Sequence, residues 1–473
     1  MMTNEEIEDI YCGIFDSGTW YTNKDNNTEV YVEFERDDGY YEFLDIKGKL
    51  FPIYIRGYYR SVSNEIGAPS FQYILQKYSD DAILDNNAVT INKRLAGNEK
   101  CTAYYLGDDK NRIVYIDKDD YKIVKRCKLY KFIKTDNTEQ QVKPRQNKDK
   151  NLLELLSPFL NMDDDMKILF TVNLVQQFIC TSSHFVGVIS AGKGCGKSTL
   201  TKMWHKMIDP TKANVSIMPN SVEELKNHLA NNRVVVFDNT QLLSQDFSDI
   251  LCGAVTGTAY TKRELYTNSN ELVYKLHNTV IINGIDVIPS QSDLLDRTIL
   301  FKLNKIDVDE IKDDETLDKE FDEARPYILG AIFDTLSKYF ANKKSTKVIG
   351  NHRMSGAYKD CFVIATVLGV ADKFVEAFEN NQSELHADYQ KGNSLVSSFI
   401  EYFKNKSKDS TLDYAENIYD ELKMYIPDDS DFPNSSSAFT AKLRKEEDFL
   451  RKAGFKYCKH SDKKGTWLMI NKI

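Results

Sequence analysis

The chain has 473 residues, of which 41% are hydrophobic and 28% are charged, and its formal net charge at pH 7 is −9. This composition is that of a folded protein with roughly three or four domains, and it excludes a wholly basic nucleic-acid coat, although one region can still carry positive potential. No apolar run approaches the roughly 18 residues that span a bilayer, and the first residues are not a secretory signal, so we expect a cytoplasmic protein with no membrane partner.

Residues 1–135 are rich in aromatic side chains, and we predict an N-terminal α+β domain there. The runs Thr102–Leu106, Ile113–Ile116 and Tyr121–Val124, separated by turn-forming residues, are typical of a strand meander. The acids of Asp117–Asp120 resemble a primase metal site, but a hairpin turn is the simpler interpretation. Residues 136–151 are polar and contain a proline, which predicts an exposed linker.

A loop that binds phosphate is predicted after the apolar run Phe185–Ile189, where a helix-compatible stretch from Lys197 to Ile208 also begins. Strand, glycine-rich loop and helix in this order define a P-loop. The glycines let backbone N–H groups turn toward a β-phosphate, and the helix directs its positive end at the same anion. The alternative is a Gly/Lys-rich turn without a ligand. The predicted ATP-binding residues are Gly192, Lys193, Gly194, Cys195, Gly196, Lys197, Ser198 and Thr199.

Within this loop, Lys197 is predicted to reach the β- and γ-phosphates, and the Ser198 hydroxyl is predicted to ligate Mg²⁺. Ala191 stands where the motif usually has glycine. A small residue is tolerated at that position if its φ is negative.

Two further apolar runs end in polar side chains, Val234–Asp238 and Thr279–Asn283, as buried parallel strands beside a site do. Asp238 is predicted to support Mg²⁺ and Asn283 to orient the attacking water. Arg297 precedes another apolar run, from where it can stabilise transition-state charge on the nucleotide of a neighbouring subunit. Taken alone, a buried strand that ends in Asp or Asn is common in any sheet, and a single arginine is commonly part of a surface ion pair. Their order indicates a ring-forming NTPase.

A hairpin with a polar turn is predicted between the two site strands, over residues 260–275. Lys262 and Arg263 are predicted to contact DNA phosphates, and the hairpin's tyrosines can stack on bases. The alternative is a solvated structural hairpin.

From about residue 157 to 303 the chain resembles the AAA+/superfamily 3-type helicase ATPases of phages and mobile elements, especially the replication helicases of staphylococcal islands and cassettes. The similar motifs are SPFLNMDDDMK, the P-loop, VVVFDN, CGAVTGTAYTKRELYTNSNE, VIINGID and DLLDRTIL. The resemblance extends to the segment Val89–Arg94 and to the motif RMSGAY that begins at Arg353. It implies phosphate, Mg²⁺, Walker B, sensor-1 and arginine-finger roles, respectively, for Lys197, Ser198, Asp238, Asn283 and Arg297.

One position departs from the broader AAA+ pattern, because Asn239 rather than a glutamate follows Asp238. A carboxylate is the usual general base for the attacking water, and an amide can only position that water. Asp238 acts alone, or a base such as Glu264 comes from elsewhere, or turnover is slow.

The last third of the chain is predicted as a helical lid, residues 306–405, followed by a winged helix, residues 406–473. Arg353 is a candidate second nucleotide sensor, although an exposed arginine at a helix start is equally ordinary. The winged helix is predicted from a helix over Ala438–Lys452 and two strands joined by a turn, with ten Lys/Arg against four Asp/Glu from residue 438 onward. Packing or protein contact is the alternative to DNA contact. The predicted DNA-binding residues here are Lys442, Arg444, Lys463 and Lys464.

Together these patterns predict a multidomain α/β protein whose central AAA+ P-loop ATPase, residues 152–305, has a parallel sheet. The predicted function is that of an ATP- and Mg²⁺-dependent DNA helicase and replication initiator of a mobile element or phage. It would translocate as a homo-oligomeric ring, expected to be a hexamer, with a single strand in its channel and origin duplex on the winged helix. A non-unwinding AAA+ DNA-binding ATPase and an RNA helicase are the alternatives.

Overall fold

The computed structural model describes residues 3–62, 71–240, 243–263, 271–284, 292–306, 313–392, 394–406, 409–425, 432–462 and 465–473. In these ranges no helix is both long enough and apolar enough to cross a membrane. The eight cysteines are free, and five of them are buried.

The first part of the chain is a four-stranded sheet packed against three helices. The helix α1 begins at a capping box in which Thr3 and Glu6 satisfy each other's backbone N–H groups. The strand order is β3-β2-β1-β4, and Phe15, Val32 and Phe51 are in the core between sheet and helices. The elements are α1 (Asn4–Asp16), β1 (Thr19–Asn23), β2 (Asn26–Glu35), β3 (Tyr41–Asp45), α2 (Leu50–Val62), α3 (Phe71–Asp85) and β4 (Ala88–Val89).

The predicted meander is confirmed as the antiparallel sheet β6-β7-β8-β9. Asp117–Asp120 is a hairpin turn, since the Asp117 carboxylate accepts a hydrogen bond from the backbone N–H of Asp119 at 3.0 Å. In the described part of the chain no group of three or more potential ligands is placed to hold a metal ion. The elements are β5 (Ile91–Asn92), β6 (Leu95–Asn98), β7 (Cys101–Tyr105), β8 (Ile113–Asp117), β9 (Tyr121–Val124) and β10 (Lys131–Phe132).

The predicted linker, residues 136–151, is exposed over most of its side chains but is anchored to the fold at two points. Gln141 is 1% exposed, and its amide donates to the Tyr104 hydroxyl at 2.9 Å and to the Met207 carbonyl at 3.1 Å. The backbone N–H of Arg145 donates to the Pro326 carbonyl at 2.8 Å. These bonds fix the path of the segment, which its polar composition did not predict.

The predicted parallel sheet is present, with the strand order β12-β13-β16-β11-β17 and every pair parallel. Side chains alternate between two cores, so that Val234 and Val236 point to one face and Val235 and Phe237 to the other. Its strands are β11 (Val186–Ser190), β12 (Ser216–Ile217), β13 (Val234–Asp238), β16 (Thr279–Gly284) and β17 (Thr298–Lys302).

Helices and one hairpin surround this sheet. The helix α5 begins where the Asp163 carboxylate accepts a hydrogen bond from the Met166 N–H. The elements are α4 (Leu152–Leu156), the short 3₁₀ helix Ser157–Phe159, α5 (Asp164–Gln176), α6 (Lys197–Ile208), α7 (Val222–Asn231), α8 (Gln245–Thr256), the hairpin of β14 (Thr258–Arg263) and β15 (Glu271–Leu276), and α9 (Ser292–Leu295).

The region predicted as a lid is helical, with α10 (Asp314–Asn342), α11 (Ser355–Val367), α12 (Ala371–Gly392) and α13 (Ser394–Lys406). The apolar side chains on one face of α10 are buried: Ile328, Leu329, Ile332, Phe333, Leu336 and Phe340. The helix predicted over Ala438–Lys452 is two helices, because the turn at Glu446 leaves the helical conformation. The remaining elements are β18 (Ser410–Tyr414), α14 (Ala415–Lys423), α15 (Ser436–Lys445), α16 (Glu447–Lys452), β19 (Phe455–Asp462) and β20 (Gly465–Lys472), with the sheet order β18-β20-β19.

Candidate active site

The predicted phosphate loop joins the carboxyl end of β11 to the amino end of α6. Gly194 and Gly196 have φ values of 78° and 82°, a region that residues with a Cβ rarely adopt, whereas Ala191 does not have a positive φ. The Lys197 ammonium donates to the carbonyls of Ala191 and Gly192, at 2.7 Å each. Because its partners among the described residues are neutral backbone carbonyls, this ammonium remains available to an anion that enters the loop.

The hydroxyl of Ser198 and the carboxylate of Asp238 meet beside this loop. The Ser198 Oγ donates to Asp238 Oδ2 at 3.3 Å, although 40 residues separate them in the sequence. They meet because both lie at the carboxyl edge of the same parallel sheet, where α/β proteins place their ligands. One hydroxyl and one carboxylate are oxygen donors of the kind that Mg²⁺ takes from protein, with the rest supplied by water and phosphate. The residues present therefore fit the predicted metal.

Asn283 joins three parts of the site. Its side-chain amide donates to the Thr201 hydroxyl of α6 at 2.9 Å, and its side-chain oxygen accepts from the Asn239 backbone N–H at 3.1 Å. Its backbone carbonyl accepts from the Thr240 N–H at 3.0 Å. Asn283 is fully buried, so these bonds fix α6, β13 and β16 relative to one another. The amide has a second N–H and a second acceptor lone pair beyond these two bonds, and its role in orienting a water stays a prediction.

Asn239, where the family pattern has an acid, has an unusual backbone. Its φ is 52°, in the left-handed region that asparagine tolerates better than most residues, and its side chain is exposed. The bond from its N–H to Asn283 holds this conformation. Glu264, the other candidate base, lies outside the described residues.

The two candidate arginines lie together, away from the phosphate loop of their own chain. Arg297 Nη1 is 2.8 Å from Asp293 Oδ1, and Arg353 bridges Asp293 at 2.5 Å and Asp296 at 3.1 Å. Burial opposes ionisation of Asp293, but the two guanidinium groups lower the pKa of its carboxyl below the usual range. His386 is 3.5 Å from Asp296 on the far side of the cluster.

This arginine cluster is at the amino edge of the sheet. The Arg297 carbonyl accepts from the Val186 N–H, at the start of β11, whereas the phosphate loop follows the other end of that strand. Five strand residues span roughly 17 Å, which is more than an arginine side chain covers. Arg297 is therefore not beside its own loop. Arg353, predicted to sense nucleotide, shares this location, and its nucleotide contact stays a prediction.

The predicted DNA-contact residues are in two places. Lys262 and Arg263 end β14, which pairs with β15 in the predicted hairpin, and their side chains are not described. Arg444 is exposed on α15, Lys442 is half-buried on the same helix, and Lys463 and Lys464 lie outside the described residues.

Several residues that shape the site carry no motif signal. Asn161 donates to the Asn304 carbonyl at 2.7 Å and to the Cys195 carbonyl at 3.5 Å, which ties the phosphate loop to the exit of β17. Thr201 and Asp293 also make long-range contacts that no local pattern predicts, with Asn283 and Arg353 respectively. The local signal for Asn161 is its position within SPFLNMDDDMK, one of the motifs that resemble the helicase family.

Residues 159–386 match the family described as the actinomycete integrative conjugative element replication protein. The matched segment is 228 of the 473 residues, just under half of the chain, and contains the central sheet and the phosphate loop. The match supports a protein related to replication and to mobile elements. Comparison with curated proteins gives no significant match.

Two similar solved structures are apo forms of the NrS-1 C-terminal region. The first, titled the A form apo structure of that region, has 14% sequence identity and a TM-score of 0.40, and the alignment covers 98% of each chain. The second, of its residues 305–718, has 14% identity and a TM-score of 0.37 over 94% of this chain and 86% of that chain.

Proposed function

We propose that this protein is an ATP- and Mg²⁺-dependent DNA helicase that serves the replication of a mobile element and acts as a ring of identical subunits. The observation that carries the proposal is the meeting of Ser198 and Asp238 beside a loop whose Lys197 ammonium donates to two backbone carbonyls. The strand order supports an AAA+ core, since the loop strand lies between the strand of Asn283 and the strand that follows Arg297. The family match supports a role in replication.

In the proposed site, Lys197 and the N–H groups of the loop hold the β- and γ-phosphates, and Ser198 and Asp238 hold Mg²⁺. When bound, the metal neutralises charge on the phosphate oxygens as the terminal bond breaks. Among the described residues Asp238 is the carboxylate that meets Ser198 beside the loop, and Asn239 positions water without accepting its proton. A site whose described residues supply one carboxylate there is consistent with slow turnover.

The location of Arg297 supports a shared active site. A guanidinium at the opposite edge of the sheet from its own loop stabilises transition-state charge only in a neighbouring subunit. In a head-to-tail ring the amino edge of one sheet faces the carboxyl edge of the next, and every interface repeats this contact. Asp293 holds Arg297 until a neighbour's nucleotide competes for the guanidinium.

The C-terminal region supports a contact with duplex DNA. A strand, three helices and two further strands, with the sheet order β18-β20-β19, follow one another as in a winged helix. Arg444 is exposed on α15, the central one of these helices. We propose that this helix enters the major groove.

The test is ATP hydrolysis and strand displacement by the wild type and three variants. Lys197→Ala should abolish hydrolysis, and Arg297→Ala should abolish it while nucleotide binding is retained. Arg263→Ala should hydrolyse ATP but displace the strand of a forked duplex poorly. A DNA-stimulated ATPase that never displaces a strand, even as wild type, would refute the helicase and favour a non-unwinding switch or loader.

A further inference from the structure

A short basic segment in the N-terminal half has no part in the proposed motor. Residues 122–134 contain six Lys or Arg and no Asp or Glu, in a chain whose net charge is −9. The segment runs from β9 through an irregular turn to β10, and β8 and β5 fix its two ends by strand pairing. We call residues 122–134 the basic strip.

Two of the six cations share one buried carboxylate within the fold. Arg126 and Lys131 both pair with the buried carboxylate of Glu33, at 2.5 and 2.6 Å. The nearby acids Asp38 and Glu42 are engaged by Arg36, at 3.2 and 3.7 Å.

The other four cations of the strip make no ion pair with a carboxylate of the described residues. Lys122, Lys125 and Lys128 are exposed, and Lys134 is half-buried near Glu42. The strip therefore keeps an excess of positive charge at the surface, where it can attract an extended anion.

Aromatic rings accompany these cations. The Lys125 ammonium lies 4.8 Å from the centroid of the half-buried Tyr40 ring, and the Lys110 ammonium lies 5.2 Å from the same centroid. Lys122 lies 5.9 Å from the Tyr115 ring. Phosphate-directed charge beside partly exposed rings is the combination that single-stranded polynucleotides bind, because their unstacked bases offer π faces to the rings. A duplex offers charge only.

The space beside the strip argues against a small-molecule ligand. The cavity lined by Lys125, Lys134, Tyr41 and Tyr130 has a volume of only about 30 Å³. That is room for a water and not for a nucleotide. A ligand of the strip must therefore lie across the surface.

We propose that the basic strip, with Tyr40, is a binding site for single-stranded polynucleotide that is separate from the channel of the ring. Lys122, Lys125 and Lys128 contact successive phosphates, and a base stacks on Tyr40. The proposal does not depend on ATP hydrolysis.

The experiment measures the affinity of fluorescent 20-nucleotide oligo(dT) and oligo(U) over a range of salt, without nucleotide, in the full chain carrying Lys197→Ala. Four variants are compared in that background. They are Lys122→Gln/Lys125→Gln/Lys128→Gln, the control Lys338→Gln/Lys344→Gln/Lys347→Gln, Tyr40→Ala, and its conservative partner Tyr40→Phe. The control removes three exposed lysines from α10 and the turn after it. Thermal melting checks that each variant is folded.

The variant that lacks Lys122, Lys125 and Lys128 should bind more weakly, and its plot of log K against log salt should have a smaller slope. Each phosphate contact to a single strand contributes about 0.7 to the dependence of log K on log salt, so losing three contacts lowers the slope by about 2. With equal affinity extrapolated to 1 M salt, this corresponds to roughly 100-fold weaker binding at 0.1 M. Tyr40→Ala should weaken binding at unchanged slope, and Tyr40→Phe should restore it.

A basic-strip variant with the slope and affinity of the control variant would overturn the proposal. So would an equal loss for a 20-base-pair duplex, because that outcome identifies plain charge attraction without stacking. A loss confined to oligo(dT) or to oligo(U) identifies which polynucleotide the site takes and supports it. The wild-type protein can lack ATPase activity while the basic-strip variant still loses slope and affinity. That outcome refutes the proposed motor but supports the basic strip as a polynucleotide site.

Discussion

The ion pair of Arg94 and Asp209 gives the most quantitative prediction about how the phosphate loop is supported. Arg94 Nε lies 2.7 Å from Asp209 Oδ1, and the two side chains are 1% and 8% exposed. The same guanidinium donates to three carbonyls at 2.8–3.0 Å, those of Tyr105, Glu139 and Pro210. Asp209 directly follows α6, the helix that starts at the phosphate loop. Arg94 thus anchors the far end of that helix to the meander.

Removing one partner of a buried pair leaves the other charge uncompensated. Arg94→Met or Asp209→Leu alone should each cost about 3–5 kcal/mol of unfolding free energy. The double variant removes both charges and leaves three carbonyls short of a donor, at about 1 kcal/mol each. It should therefore cost about as much as one single change, with a coupling energy of about 3–5 kcal/mol.

The assay is urea unfolding followed by the fluorescence of Trp204, which is fully buried on α6. Trp20 and Trp467 are replaced by Phe so that the signal reports this helix alone. Costs that add within about 0.5 kcal/mol would refute the reasoning, because independent sites add in that way.

Three further outcomes are expected. Gly187→Ala should destabilise the central sheet by about 1–3 kcal/mol in thermal or urea unfolding, because a Cβ there would overlap the Trp204 ring, and an unchanged midpoint would contradict that packing. Asn239→Gly should keep wild-type stability, whereas Asn239→Val should lose about 1–3 kcal/mol of stability at a φ of 52°; equal stability of the two would contradict the strain. Burial lowers the pKa of His205 and of His277 to about 4. An unfolded histidine titrates near 6.5, so the native state binds fewer protons and the urea midpoint should fall as pH drops from 6.5 to 4, with no histidine effect above pH 7. A fall of the same size in the His205→Gln/His277→Gln variant would contradict this assignment.

Local patterns predicted the elements that build the site. The apolar runs that end in Asp238 and Asn283 are strands, the glycine-rich loop lies between β11 and α6, and the strand meander is present. The spacing of apolar residues and the turn- or cap-forming residues at their ends suffice to predict such elements, because strand, turn and cap preferences act within a few residues.

Partnerships across long sequence separations could not be predicted in this way. Arg94 meets a carboxylate 115 residues away, and the Asn283 amide bonds to Thr201, 82 residues away. Nothing local distinguishes a buried arginine from a solvated one, and an amide that ends a strand looks the same whether it faces water or a helix. The basic strip was visible in the sequence, but which of its lysines remain unpaired depends on where Glu33 packs.

The most direct test of the central claim is the ATPase activity of a mixture of two inactive variants, Lys197→Ala and Arg297→Ala. If each active site takes its phosphate loop from one subunit and its arginine from the next, random mixing in equal amounts makes roughly a quarter of the interfaces complete. Activity near a quarter of the wild-type rate is therefore predicted, from two proteins that are each inactive alone. A mixture as inactive as its components, or an Arg297→Ala protein that hydrolyses ATP at the full rate without a partner, would contradict the shared site.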